Sequence, residues 1–178
     1  MKAISEIFTL DTGEYGSFYA NYIANVGGLS IEEALTKDQE RWNVLFSHLK
    51  HENLAYRYAD GKWSVAELIL HCIDSERIFA GRAIRLIRHD STPLPGFDQD
   101  IYVENSVSES YNVTNLKQQW EAARSYTRSI LDNANHDSLK FIGSGDGKPI
   151  SARALGFIIP GHNIHHLDIL KSRYGLET

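Results

Sequence analysis

The sequence predicts an all-α protein: an up-down-type four-helix bundle with a short extra N-terminal helix and irregular loops. Three observations point there. Apolar residues recur at helical spacing over four long segments, convincing alternating strands are absent, and the connections are short to medium and rich in turn formers. Hydrophobic residues make up 42% and charged residues 23% of the 178 residues, a composition that supports one domain, residues 1–178, with a substantial core.

Each element has its own warrant. The aromatic-rich stretch from Tyr15 to Val26 fits a short helix closed by Gly27 and Gly28. The first long helix is expected from about Ser30 or Thr36 to Tyr58, because Ser30 and Glu33 have capping-box spacing and Trp42, Leu45, Phe46 and Leu49 recur on one face. The second starts at Ser64, an N-cap with Glu67 three positions on and Trp63 placed to staple against Leu68. Its inner face runs through Val65, Leu68, Ile69, Cys72, Phe79, Ala80, Ala83 and Ile87, and it should end near Arg88, ahead of the loop DSTPLPGFDQD.

The third helix, about Asn115 to Asn133, turns Leu116, Trp120, Ala123, Thr127, Ile130 and Leu131 inward. A turn signal, GSGDGKP, follows. The fourth helix begins at Ser151 and continues to Arg173, with Gly175 beside its C-cap. Pro160 falls inside it and removes one backbone hydrogen bond, so a kink is expected just ahead of His162.

Bulk properties narrow the function. A net charge of −5 argues against a nucleic-acid partner and leaves a small-molecule substrate open. The single cysteine, Cys72, permits no intrachain disulfide and reads as a small core residue. The start, MKAISEIFTLDTGEYG, has a short apolar patch without the long apolar region of a signal peptide, and no apolar run nears the roughly 18 residues of a membrane span. A soluble, cytoplasmic protein with no membrane partner is expected.

The fourth helix carries the chemistry. At about 100° per residue, His162 and His166 lie within the apolar cluster of Leu155, Ile158, Ile159, Ile169 and Leu170, while His165 falls to the flank, so this pair is preferred over His162 with His165, whose i,i+3 spacing also permits chelation. Imidazole is costly to bury, and two of them four apart on one face call for a partner, which a divalent cation fits. His71, mid-helix beside an apolar face, is the natural third ligand. His48, His51, His89 and His136 sit near helix ends or in a connection and read as solvated or helix-end cations. Three imidazoles leave a coordination position open and suit zinc or nickel, with copper, cobalt or iron also accepted.

Glu76 and Asp74 are the candidate catalytic groups. Glu76 lies near the centre of an apolar face, so it either serves the site or forms an internal salt bridge with an arginine such as Arg82 or Arg153, and the salt bridge is preferred. Asp74, one turn beyond His71, either orients that ring or is solvated. Asp98 and Asp100 either border the mouth of the site or are simply exposed. The GSGDGKP turn lacks P-loop spacing, and no Ser-His-Asp arrangement stands out.

The segments GKWSVAELILHCIDSERIFAGRAIRL, PLPGFDQDIY and ALGFIIPGHNIHHLDILKSRY, within a span from about Glu14 to Tyr174, resemble the DinB-like superfamily. The resemblance implies a four-helix bundle whose metal is held by one histidine of the second helix and an HxxxH pair of the last: His71, His162 and His166. It implies a metal-dependent enzyme, either a thiol S-transferase using a low-molecular-weight thiol such as bacillithiol or a hydrolase of small amides or esters. A mycothiol-dependent isomerase also belongs to the superfamily, and fold alone does not choose among them. A non-catalytic metal-binding or stress-responsive module is the rival reading. Many members pair through helix faces, so Tyr15, Phe18, Tyr19 and Tyr22 either form a homodimer contact or cover one end of the bundle.

Overall fold

Local capping fixes where the long helices begin. The computed structural model describes residues 10–11 and 13–178, so most of the N-terminal apolar patch lies outside the described residues. Ser30 caps α2 (Ile31–His48) and Ser64 caps α3 (Val65–Ile87), each in a complete capping box with Glu33 or Glu67, after a short α1 (Ala20–Asn25). Asn112 caps α5 (Val113–Leu131), and Ser151 caps α7 (Ala152–Tyr174), which ends on Gly175 at φ 70. Short α4 (Gln99–Glu104) and α6 (His136–Lys140) lie in the connections. α2 stops ten residues short of the expected Tyr58, because Leu49 turns extended and a 3₁₀ turn, His51–Asn53, follows.

The long helices α2, α3, α5 and α7 form the expected four-helix bundle, and their directions refine it. One apolar cluster joins Leu35 of α2, Phe79 to Ile87 of α3, Ile130 of α5 and Leu155 to Ile159 of α7. The other joins Trp42 to Phe46, Val65 to Ile73, Leu116 to Ala123, and Leu167 to Tyr174. α2 and α7 therefore run one way, and α3 and α5 run the other. Parallel neighbours need a connection that returns the full length of a helix, which residues 88–112 supply. Among the described residues no helix is long and apolar enough to cross a membrane.

A polar layer separates the two clusters. Arg124 donates from Nε and Nη2 to the Glu76 carboxylate at 2.8 and 3.0 Å, from Nη2 to Asp38, and from Nη1 to the Leu35 carbonyl at 3.0 Å. The Asn163 amide donates to Asp38 at 3.1 Å and Glu76 at 3.0 Å, and the Thr127 hydroxyl donates to Glu76 at 2.9 Å. All five residues are buried.

A hairpin was not expected. β1 (Ile142–Gly145) pairs antiparallel with β2 (Lys148–Ser151), and Asp146 and Gly147 turn it at φ 52 and 69, both positive as a type I′ turn requires. Its edges hold Leu94 of the long connection and the segment around Glu14, through Leu94 N–H to the Ser144 carbonyl and Ser151 N–H to the Glu14 carbonyl.

Candidate metal centre

α3 and α7 bring His71, His162 and His166 together, with one nitrogen of each within 4.8 Å of the others. His162 Nε2 lies 3.1 Å from His71 Nε2 and 3.1 Å from His166 Nε2. A ring nitrogen offers either one lone pair or one proton, so His162 Nε2 cannot make full hydrogen bonds to both neighbours. A cation shared by three lone pairs satisfies all of them, and the two 3.1 Å separations suit metal–nitrogen bonds of about 2.0–2.1 Å.

Burial supplies those lone pairs. It pushes His71 down to about 4 from 6.5. Burial, then the neighbouring imidazoles, holds His162 and His166 well below the usual histidine range. All three are neutral at neutral pH, the form that binds metal. His71 and His162 are buried, and His166 is partly exposed with its Nδ1 buried and unbonded.

The fourth helix is shaped for this cluster. It runs through Pro160, and an added Cβ at Gly161 would overlap the Tyr22 carbonyl, so glycine lets α1 lie directly on α7. The Asn25 amide donates to the Gly161 carbonyl at 3.0 Å and fastens the contact. Tyr22 then stands edge-on to His162 at 5.2 Å, as does Phe79 at 6.0 Å, and Trp63 lies 4.9 Å from His71. The N-terminal aromatic stretch thus walls the site.

The DinB superfamily model matches residues 34–170. The chain belongs to the DinB superfamily. No curated protein matches the sequence significantly. Among solved structures the chain is similar to YfiT from Bacillus subtilis, described as a probable metal-dependent hydrolase with an unusual four-helix bundle topology. The two share 18% identity over 98% of this chain and 99% of that one, with a TM-score of 0.62.

Within this superfamily fold the other candidates occupy different places. Glu76 is held by Arg124, Thr127 and Asn163 in the polar layer. Its arginine is therefore Arg124, not Arg82 or Arg153: Arg82 donates to the Pro95 carbonyl at 2.5 Å, and Arg153 binds Glu14 and Asp11. Asp74 pairs with Arg77 at 3.3 Å, and no hydrogen bond joins it to His71 among the described residues. Asp98 caps α4 and Asp100 lies in its first turn. Cys72 is fully buried, and burial, then Asp38 and Glu76, raises its thiol well above the ordinary range.

A cavity of about 230 Å³ opens beside His71 and His162. The PGFDQD loop reaches it through Gly96, Phe97 and Gln99 rather than through its aspartates. Ser75 and Arg82 of α3 also line it. Both share a helix face with His71, at four and eleven positions on, which is the signal in the sequence that marks them.

Proposed function

We propose that this DinB-superfamily protein is a metal-dependent enzyme acting on a small molecule, with His71, His162 and His166 as the metal ligands and hydrolysis of an amide or ester as its reaction. The observation that carries the reading is the pair of 3.1 Å contacts at His162 Nε2, which a shared cation resolves and hydrogen bonding does not. The description of YfiT as a probable metal-dependent hydrolase supports the reaction class. His71, His162 and His166 would hold a zinc or nickel ion, and the chemistry such an ion would supply there is Lewis acidity toward the substrate or its nucleophile.

The chain's own contributions follow from the geometry. Burial keeps the three imidazoles unprotonated, so metal binding displaces few protons near neutral pH. The rings of Tyr22 and Phe79 shield His162 from bulk water on two sides. Glu76 and Asp74 are otherwise engaged, so the residues facing the cavity orient the substrate rather than relay its protons.

Metal content and turnover test this together. Protein stripped with chelator and reloaded should bind one equivalent of zinc or nickel. His162→Ala should weaken that binding by more than roughly a hundredfold, beyond the cost of losing an outer partner, while His165→Ala should leave it intact. Small amides and esters, and thiols offered with monobromobimane, then separate hydrolysis from S-transfer. Absence of metal binding refutes the centre. Turnover of thiols alone replaces the hydrolase reading, and bound metal with no turnover across both panels favours the non-catalytic module.

A further inference from the structure

Among the described residues three arginines are buried, and one of them is unlike the others. Arg124 and Arg153 sit on pairs of carboxylates. Arg82 is 6% exposed, yet its one hydrogen bond among the described residues goes to the Pro95 carbonyl, and no described carboxylate pairs with it. A guanidinium has five N–H donors and is never deprotonated in proteins. Its remaining donors are not sealed from solvent, so the cavity that Arg82 lines is where an anion meets them in charge-assisted hydrogen bonds.

Ser75 adds a second polar group without a partner. The residue is 1% exposed, and its Oγ makes no hydrogen bond among the described residues. Both residues line the cavity beside His71 and His162. On α3, His71, Ser75, Phe79 and Arg82 fall within roughly 80° of one another. The helix rises about 16 Å from His71 to Arg82, and the arginine side chain leans back along it toward His71. The rest of the wall is aromatic, with Phe79 beneath the guanidinium at 5.8 Å and Phe97 and Tyr19 around it. The one carboxylate in the lining, Asp146, is exposed and has Lys148 Nζ at 4.0 Å to offset it.

We infer that this cavity takes a compact organic anion: an apolar or aromatic body whose carboxylate seats on Arg82 and Ser75 and whose other end meets the histidines. The inference deepens the proposed function and rests on it for which end reacts, but the anion seat is measurable without turnover. Phenylacetate, phenylacetamide and phenethylamine share one body and differ in charge. Their binding is measured by calorimetry and by NMR shifts at Ser75 and Arg82, on chelator-treated and on zinc-loaded protein.

Phenylacetate should bind in both preparations, roughly tenfold or more tighter than the amide, as a charged hydrogen bond warrants. Arg82→Gln should abolish that preference, Arg82→Lys should keep part of it, and Ser75→Ala should weaken phenylacetate severalfold. Zinc affinity should be unchanged in all three. Should Arg82→Gln fail to fold, Arg82→Lys and Ser75→Ala decide the matter, and an undiminished preference in both overturns the inference. No phenylacetate binding at millimolar concentration overturns it too. So does binding that needs zinc and ignores Arg82, which leaves the metal centre standing. An Arg82-dependent preference in protein that binds no zinc upholds the anion seat and removes the metal reading.

Discussion

Replacing Arg124 with methionine tests the polar layer that divides the core. Three of the guanidinium's four hydrogen bonds go to buried carboxylates, two to Glu76 and one to Asp38, and the fourth goes to the Leu35 carbonyl. Methionine fills much of the volume but leaves both acids enclosed without their cation. Stranding a buried charge in this way costs roughly 3–5 kcal/mol, a large share of the roughly 5–15 kcal/mol that holds a typical domain folded. Trp42 and Trp120 stack at 5.4 Å, and Arg124 lies 5.1 Å over Trp120, so tryptophan fluorescence during urea unfolding reads the layer directly.

The sign with pH follows from Asp38, which burial pushes up to about 6 even with Arg124 beside it. A folded carboxyl above its unfolded value of 3.8 contributes stability that is lost as pH rises through the folded value. Without Arg124 that value climbs further, so the loss should be larger at about pH 7.5 than at about pH 5, on either side of the folded value. Adding Asp38→Asn and Glu76→Gln to Arg124→Met removes the stranded charges and should recover more than half of the loss. A loss below about 1 kcal/mol, or one equal at both pH values, would refute the reasoning.

Two further outcomes are expected. Gly161→Ala should destabilise by roughly 1–3 kcal/mol through overpacking against the Tyr22 backbone, and hydrogen exchange should rise in α1 before the rest of the bundle; a neutral effect would mean α1 does not rest on α7. In chelator-treated protein the folded value of His71, about 4, lies below the unfolded 6.5, so its contribution is full above about pH 6.5 and is lost as pH falls. Wild type and His71→Gln compared by urea unfolding should thus converge by roughly 2 kcal/mol between about pH 7.5 and pH 5, with the opposing contribution of Asp38 common to both. A pH-independent difference would refute the assignment of His71 as a neutral buried ring.

What the sequence reveals here is what short-range physics controls. Ser30 with Glu33, Ser64 with Glu67, and Ser151 mark helix starts because capping involves only neighbouring residues. His162 and His166 are legible as a pair for the same reason, being one turn apart. Partners set by tertiary direction are not. Glu76 meets Arg124 because α3 and α5 lie side by side, and nothing near Glu76 in sequence distinguishes Arg124 from Arg82 or Arg153. The hairpin escapes a periodicity search because each strand has four residues and β1 includes Gly143 and Gly145. Phe97 and Gln99 reach the cavity only because the long connection folds back across α3, a fact of topology.

α7 shows where local preference gives way to the site. Gly156, Pro160 and Gly161 are poor helix residues, and together they forfeit about 5 kcal/mol of intrinsic propensity relative to alanine. Two of them are explained by close approach: a Cβ at Gly156 would meet Ile31 Cδ1 at 2.7 Å, and one at Gly161 would overlap the Tyr22 carbonyl. These contacts seat α2 and α1 against the half of α7 that leads into His162, and the second sets the Tyr22 ring beside that imidazole. A helix built only for stability would place alanine or leucine at these positions and hold α1 further off. The concentration of unfavourable residues in the two turns before His162 is what a bundle shows when helix propensity yields to the enclosure of a buried centre.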